Sequence, residues 1–160
     1  LDRDGVINYD YGYVHKRKDF KFKKGVIDGL KHLVKKKYYI FIVTNQAGIA
    51  KGIYKKNDFL NLQNTLKQEL SKKNIYFDDV QYSPFHRKGI ILKYKKTSNL
   101  RKPGNQMILN IFKKFLINKK KSFMIGDKNS DKECAKKSNL YFSFTNSNFL
   151  NLTKKIIKNI

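Results

Sequence analysis

Two aspartates, Asp2 and Asp4, stand two positions apart near the start of the chain and are followed at once by Gly5. In an extended segment, both carboxylates project to one side and Arg3 to the other. Neighbouring carboxylates repel each other, so the pair favours a bound cation, and Mg²⁺ suits carboxylate and phosphate oxygens together. One aspartate can then act as a nucleophile and the other as a general acid and base. The same residues are also typical of a strand that ends in an ordinary Asp-Gly turn.

Further polar residues follow the apolar runs of the chain. Thr44 and Asn45 follow one such run, Asp127 follows another with Asp131 close behind, and the segment 101–103 (Arg-Lys-Pro) follows a long loop. Because ligands bind beyond the carboxyl ends of strands in parallel sheets, we expect these groups to share one site with the acidic pair. Their inventory of acidic groups, a hydroxyl and a cation fits phosphoryl transfer through an aspartyl-phosphate.

Hydrophobic periodicity indicates the elements that must position these residues. Continuous apolar runs predict buried parallel strands, and apolar residues spaced three or four apart predict helices. Strands are predicted at 39–43, 80–82, 122–126 and 140–144. Helices are predicted over 25–35, from a cap at Asn57 through Leu62, Leu66 and Leu70, and over 107–115, 130–138 and 147–158. The alternation predicts an α/β fold, with a Rossmann-like parallel sheet covered by helices on both faces.

The remaining stretches, 9–22, 44–49 and 83–100, are interpreted as loops. No repeat or linker divides the chain, so we expect one domain over residues 1–160. The acidic pair directly follows Leu1, without the apolar residues that a strand requires. We therefore expect the N-terminal strand to be truncated.

The net charge of +24 comes from 36 Lys and Arg residues against 12 Asp and Glu residues. Lysines are spread through every segment, which favours a general compositional bias over a specific nucleic-acid partner. Their field would still attract small anionic substrates. Cys134 is the single cysteine and excludes an internal disulfide, and no apolar run approaches the roughly 18 residues of a membrane span. With no signal peptide visible, we expect a monomeric cytoplasmic protein that binds no membrane.

Four short motifs make the chain resemble phosphatases of the haloacid dehalogenase (HAD) superfamily. They match as Asp2-Arg3-Asp4-Gly5, Thr44, Lys102, and Gly126-Asp127 with Asp131. Longer stretches are similar to the D-glycero-D-manno-heptose 1,7-bisphosphate 7-phosphatase family, namely 1–8, 10–14, 43–52, 101–103 and 125–128. The resemblance implies a HAD-like fold without a large cap domain. It also implies an Mg²⁺-dependent hydrolase that removes the C7 phosphate of the heptose bisphosphate during synthesis of nucleotide-heptose precursors for lipopolysaccharide or capsule.

The resemblance also implies a role for each matching residue. Asp2 would be the nucleophile and an Mg²⁺ ligand. Asp4 would protonate the leaving sugar oxygen and then activate water, while its backbone carbonyl binds Mg²⁺. Thr44 and Lys102 would hold the transferring phosphoryl oxygens, and Asp127 would be the remaining protein ligand of Mg²⁺. The substrate site would be lined by Asp10, Tyr11, Gly12, Tyr13, Thr44, Asn45, Gln46, Ala47, Arg101 and Lys102.

The chain departs from the resemblance at a zinc-binding loop that many relatives carry, patterned Cys-x-His and then Cys-x-Cys before Arg-Lys-Pro. The matching positions here hold Ser83, Phe85, Ser98 and Leu100. These residue types are not structural zinc ligands, and His86 beside them is a lone histidine. We therefore expect no zinc, and a loop that is either mobile or held by its own side chains. The candidates for such contacts are Phe85, Ile90, Ile91 and Leu92.

Three other functions stay open at this point. Histidinol-phosphate phosphatases share much of the same motif set, and polynucleotide 3′-phosphatases share a Thr-Asn-Gln-x-Gly-Ile loop like that at 44–49. A nucleic-acid phosphatase would make use of the net charge of +24, although no P-loop of an associated kinase is present. A non-catalytic nucleic-acid-binding module would require stacking aromatic residues among clustered basic ones, and would not require the aspartates together.

Overall fold

The computed structural model describes residues 1–160, in which strands and helices alternate as the hydrophobic pattern predicts. The strands are β1 (Phe41–Asn45), β2 (Asp79–Ser83), β3 (Phe123–Gly126) and β4 (Tyr141–Phe144). The helices are α1 (Val26–Lys35), α2 (Ala47–Ala50), α3 (Lys56–Ser71), α4 (Gln106–Lys114), α5 (Asn129–Lys137) and α6 (Phe149–Asn159). Short 3₁₀ turns lie at Arg17–Asp19, Leu92–Tyr94 and Lys119–Lys121.

The strands form two parallel ladders, β1 with β2 and β3 with β4, and Leu1 and Asp2 connect them. Leu1 N donates to Phe41 O at 2.8 Å, and Val43 N donates to Leu1 O at 2.9 Å. On the other side, Asp2 N donates to Ile125 O at 3.0 Å. The order is therefore β2, β1, residues 1–2, β3 and β4. This arrangement confirms the α/β fold built on parallel strands.

The chain leaves the sheet directly after Asp2. Arg3 lies in a bend, its carbonyl accepts from Ile7 N at 2.8 Å, and Gly5 has a φ of +84°. Glycine adopts this left-handed conformation without the steric cost that a Cβ would bring. The extended geometry considered for residues 2–4 is therefore not adopted, because a turn follows Asp2 at once.

Apolar residues of the strands point alternately to two cores, as side chains of a strand must. Ile42 and Ile125 belong to the larger core, which also contains buried residues of α1, α3 and α6. Val43 and Met124 belong to the second core, which contains buried residues of α4 and α5. Helices therefore cover both faces of the sheet, as the sequence predicts.

Several predicted boundaries differ from the structure. The segment 44–49, interpreted as a polar loop, begins with the last two residues of β1, Thr44 and Asn45, and continues into the single-turn helix α2. Helix α3 begins at Lys56 rather than after a cap at Asn57, because the Asp58 carboxylate accepts from Lys55 N at 2.7 Å. The helix predicted over 107–115 is α4, which ends at Lys114, so that Phe115 lies just outside it. None of the helices combines the length and apolar character that crossing a bilayer would require.

Candidate active site

A cavity of about 600 Å³ opens at the carboxyl ends of the strands. It is lined by Asp2, Asp4, Asp10, Gly12, Tyr13, Thr44, Asn45, Gln46, Ala47, Lys51, Tyr54, His86, Arg101, Lys102, Pro103, Lys128, Ser130 and Asp131. Every residue that the resemblance assigns to the substrate site is among them except Tyr11. The Tyr11 side chain is 62% exposed and stacks on Tyr9.

Lys102 lies at the floor of the cavity between two buried aspartates. Its ammonium is 2.9 Å from Asp2 Oδ1 and 2.6 Å from Asp131 Oδ1, and it donates to Val43 O at 2.8 Å. Burial lowers the pKa of Lys102, but the charges of Asp2 and Asp131 together raise it by more. The lysine therefore stays a cation beside the proposed nucleophile.

The Asp2 carboxylate presents its two oxygens differently. Oδ1 accepts from Arg3 N at 2.7 Å and pairs with Lys102, whereas no protein group donates to Oδ2. Burial raises the pKa of Asp2 to about 6, while the charge of Lys102 acts in the opposite direction. One oxygen is thus anchored, and the other stays available for chemistry.

Arg3 does not point away from Asp4, as an extended segment would require, but folds back and pairs with it. The Arg3 guanidinium is buried and donates to both Asp4 oxygens, at 2.9 Å each from Nη2. Asn8 Nδ2 donates to Oδ1 and Gln46 Nε2 to Oδ2, both at 3.0 Å. The guanidinium is held in turn by Val14 O, at 2.6 Å from Nη2. Arg3, Asn8 and Gln46 together make five donor contacts to the Asp4 carboxylate and hold its orientation.

Three carboxylates come close enough to hold one metal ion. Asp2, Asp127 and Asp131 offer oxygens that lie within 4.8 Å of one another. Asp127 Oδ1 is buried without a hydrogen-bond partner, and such an orphaned anionic oxygen fits a cation. Gly5 provides the space that the Asp127 carboxylate occupies, because a Cβ at this position would lie 2.3 Å from Asp127 Oδ2.

Asp131 and Asp4 take different places around this cluster. Asp131 Oδ2 accepts from the backbone N–H groups of Asp127 and Lys128 at 3.2 and 3.0 Å, which caps α5, and Oδ1 faces Lys102. The Asp4 carboxylate is outside the cluster, but its backbone carbonyl accepts no backbone hydrogen bond. Asp2, Asp127 and the Asp4 carbonyl would therefore be free to hold Mg²⁺, whereas Asp131 is already engaged by Lys102 and by the start of α5.

The loop after β2 is ordered through backbone contacts with α2. Ile90 N and Ile91 N both donate to Ala50 O, at 2.8 and 3.0 Å. At the loop base, Phe85 packs near Tyr94, with ring centroids 6.1 Å apart. Leu92, one of the side chains expected to hold the loop, is 86% exposed and contributes no such contact. The docked loop brings His86 and Arg101 to the mouth of the cavity.

Comparisons with known proteins match the chain over nearly its whole length. Residues 3–155 match the family described as polynucleotide kinase 3 phosphatase. The D-glycero-beta-D-manno-heptose-1,7-bisphosphate 7-phosphatase of Haemophilus influenzae is 42% identical over 131 residues, which are 82% of this chain and 71% of that protein. The protein of the same name from Escherichia coli K12 is 36% identical over 140 residues, or 88% of this chain and 73% of that protein. The chain belongs to the heptose-1,7-bisphosphate 7-phosphatase family.

Solved structures share the fold of this family member. The D,D-heptose 1,7-bisphosphate phosphatase of B. bronchiseptica, complexed with magnesium and phosphate, superposes with a TM-score of 0.83 and 16% identity, covering 100% of this chain and 97% of that one. A HAD-like protein from Mesorhizobium loti gives a TM-score of 0.87 and 22% identity, covering 99% and 84%. These likenesses confirm the HAD-like fold.

Sequence reasoning assigned Arg101 to the site but did not identify two other groups at the cavity mouth of this heptose-phosphatase family member, Lys51 and His86. Lys51 donates to the Tyr13 hydroxyl at 2.7 Å, and neither Lys51, His86 nor Arg101 forms an ion pair. Burial lowers the pKa of His86, and the nearby charges of Arg101 and Lys51 lower it further. Lys51 lies within the segment 43–52 that carries the resemblance, and this was the available signal. His86 offered none, because a lone histidine in a loop has no pattern.

Chelation should leave the 83–100 loop unaffected. Because backbone hydrogen bonds to Ala50 hold the loop, and no zinc ligand set is expected there, metal analysis of purified protein should give no stoichiometric zinc. A zinc-selective chelator should leave the melting temperature and the activity unchanged, while removal of Mg²⁺ should stop turnover. About one zinc per chain, lost together with stability on chelation, would contradict this prediction.

Proposed function

We propose that this chain hydrolyses the C7 phosphate ester of D-glycero-D-manno-heptose 1,7-bisphosphate with Mg²⁺. The observation that carries the proposal is the meeting of Asp2, Asp4, Thr44 and Lys102 in one cavity, beside an acidic cluster that fits a metal ion. The names of the curated relatives support the substrate. The activity would belong to the cytoplasmic synthesis of heptose precursors for lipopolysaccharide or capsule. One domain over residues 1–160, acting as a monomer, would perform it.

Asp2 attacks the phosphorus, so that a bond forms between its carboxylate and phosphorus while the bond to the C7 oxygen breaks. Asp4 gives a proton to the leaving oxygen and then takes one from the water that hydrolyses the aspartyl-phosphate. Hydrolysis releases phosphate and restores Asp2. Thr44 donates its hydroxyl to a phosphoryl oxygen, and Lys102 neutralises charge beside Asp2.

Mg²⁺ held by Asp2, Asp127 and the Asp4 carbonyl would neutralise charge on the phosphoryl oxygens. The magnesium in the B. bronchiseptica complex supports the choice of ion. Gly5, which has no Cβ beside Asp127, and Asp127 Oδ1, which has no hydrogen-bond partner, would leave space and a free ligand atom for the ion.

The cavity mouth supports a substrate with a second phosphate. Lys51, His86 and Arg101 meet there without any carboxylate partner, and Arg101 is only partly exposed. Lys51 and Arg101 are cations without counter-charges and attract an anionic group, and a phosphate can accept several hydrogen bonds at once. We assign this rim to the phosphate that is retained on C1, while the C7 phosphate lies at Asp2.

A polynucleotide 3′-phosphatase is the second candidate, because residues 3–155 match the family with that description and the net charge is +24. A nucleic-acid substrate would extend from the cavity along a basic surface. Its binding would fall steeply as salt rises, since each neutralised phosphate releases counterions.

Phosphate release with Mg²⁺ distinguishes these candidates and a histidinol-phosphate phosphatase. We expect kcat/KM for either anomer of heptose 1,7-bisphosphate to exceed that for histidinol phosphate and 3′-phosphorylated DNA by more than about tenfold, the value of one charged hydrogen bond. Lys51→Met should raise KM for the bisphosphate about tenfold and leave KM for a heptose 7-monophosphate unchanged. Exposed Lys37→Met, in the turn after α1, is the matched control.

Each outcome of this assay supports a different function. Preferred turnover of histidinol phosphate would replace the proposed substrate and keep the chemistry. Preferred turnover of 3′-phosphorylated DNA, with tight end-specific binding at physiological salt, would establish the polynucleotide reading. If the protein released phosphate from none of these esters but bound nucleic acid, the result would favour a non-catalytic nucleic-acid-binding module.

A further inference from the structure

The Gln46 carboxamide is buried at the end of β1, and protein groups occupy its whole hydrogen-bonding capacity. Nε2 donates to Asp4 Oδ2 at 3.0 Å and to Thr44 Oγ1 at 2.8 Å. Oε1 accepts from the Tyr54 hydroxyl at 2.5 Å and from Arg3 Nη2 at 3.4 Å. A carboxamide has two donors and two acceptor positions, so none is left for a substrate.

Tyr54 and Arg3 determine which way this amide points. Both present hydrogen-bond donors to Oε1, and burial raises the pKa of Tyr54, which keeps its hydroxyl protonated. A rotated amide would place its NH₂ group against the Arg3 guanidinium and its oxygen against the Asp4 carboxylate. Two donors or two acceptors in contact repel each other, so the observed orientation is favoured from both ends.

The orientation of Gln46 has a consequence for Thr44. A hydroxyl has one proton, and Thr44 Oγ1 uses a lone pair to accept from Gln46 Nε2. The Thr44 proton must therefore point away from Gln46 and is available to the cavity that Thr44 lines. One amide thus orients the hydroxyl that receives a phosphoryl oxygen and also holds the carboxylate of the acid and base.

Tyr54 is itself held firmly enough to act as an anchor. Its ring is 6% exposed and stacks on His15 with centroids 4.7 Å apart. A Cβ at Gly48 would lie 2.1 Å from Tyr54 Cε1, so the glycine in α2 provides the space for the ring. The anchor therefore depends on a helix and a loop that come from different parts of the chain.

We propose that Gln46 is a positioning residue rather than a substrate contact, and that Tyr54 acts through it. Gln46 places the Asp4 carboxylate and directs the Thr44 proton, while Tyr54 holds the amide in the orientation that allows both. The kinetic consequences of this proposal rest on the proposed phosphatase function. The hydrogen bonds that hold Gln46 in place do not depend on it.

The kinetic test compares two leaving groups with Gln46→Met, Tyr54→Phe and the wild-type protein. For heptose 1,7-bisphosphate, Gln46→Met should lower kcat about 10²-fold with KM little changed, since misplaced catalytic groups cost about that much. Tyr54→Phe should lower kcat about 2- to 10-fold, the value of one neutral hydrogen bond. For p-nitrophenyl phosphate, the kcat/KM loss in Gln46→Met should be about tenfold smaller, because this leaving group needs little protonation.

Gln68→Met and Tyr76→Phe are matched controls at exposed positions and should match the wild type on both substrates. A substrate contact would behave differently from a positioning residue. Gln46→Met would then raise KM for the heptose bisphosphate, leave kcat unchanged, and spare p-nitrophenyl phosphate altogether. That result would overturn the proposal.

A spectroscopic measurement tests the same proposal without turnover. In ¹⁵N-labelled protein, the Gln46 side-chain NH₂ signals, identified by their loss in Gln46→Met, should exchange with water more slowly than those of Gln68. Tyr54→Phe should accelerate that exchange, and Tyr76→Phe should not. Fast exchange in the wild type would refute the positioning role, whereas absence of phosphatase activity together with slow exchange would refute only the proposed function.

Discussion

Asp2→Asn should abolish turnover, lowering kcat by more than about 10³-fold. The amide is a poor nucleophile and a poor Mg²⁺ ligand, so both roles proposed for Asp2 are lost at once. The fold should persist, because Lys102 keeps Asp131 and Val43 O as partners and the asparagine oxygen can still accept from Arg3 N. Phosphate release under single-turnover conditions, with heptose 1,7-bisphosphate and p-nitrophenyl phosphate, measures the loss.

Asp28→Asn makes the same chemical change at an exposed position in the first turn of α1 and should retain full activity. The melting temperature of Asp2→Asn should stay within a few degrees of the wild type, which corresponds to about 1 kcal/mol for a chain of this size. A well-folded Asp2→Asn protein with substantial turnover would exclude Asp2 as the nucleophile. An aspartyl-phosphate formed elsewhere would then have to be sought by mass spectrometry.

The sequence predicted the strands and most of the residues that meet in the cavity through short-range signals. The run at 39–43 is continuously apolar because β1 is buried on both faces, with Ile42 in one core and Val43 in the other. Polar residues directly after such runs had to meet at the carboxyl edge of the sheet. Thr44, Asn45 and Asp131 could therefore be assigned to one cavity before any contact was known.

The features that sequence reasoning missed depend on contacts between distant segments or on local turns. Arg3 pairs with Asp4 because the chain bends after Asp2, and period-two alternation assumes that no bend occurs. His86 reaches the cavity because the loop docks on Ala50 through backbone hydrogen bonds. Such bonds do not depend on side-chain type, so the pattern of residue types does not predict them. The role inferred for Gln46 required the positions of four partners, of which only Thr44 is close in sequence.

Lys102→Met should reduce both activity and stability strongly. Lys102 is buried between Asp2 and Asp131, and removing the cation leaves two carboxylates facing each other without a counter-charge. Breaking a buried pair in this way costs about 3–5 kcal/mol, which urea unfolding measures. Turnover should fall at least about 10²- to 10³-fold, because charge stabilisation beside the phosphoryl group is also lost.

Lys114→Met is the matched control, since Lys114 pairs with Asp79 at the same 2.9 Å distance but with a side chain that is 57% exposed. Exposed pairs are worth about 0–1 kcal/mol, so this variant should unfold almost as the wild type does. Adding Asp131→Asn to Lys102→Met should restore part of the lost stability, because one uncompensated carboxylate is removed, and should leave turnover low. Recovery of stability without turnover would separate the two roles of Lys102. If Lys102→Met lowered the free energy of unfolding no more than Lys114→Met does, the contacts of Lys102 with Asp2 and Asp131 would not stabilise the site as inferred. If turnover also stayed unchanged, the phosphoryl-binding role would have to belong to Arg101 or Lys128, which line the same cavity.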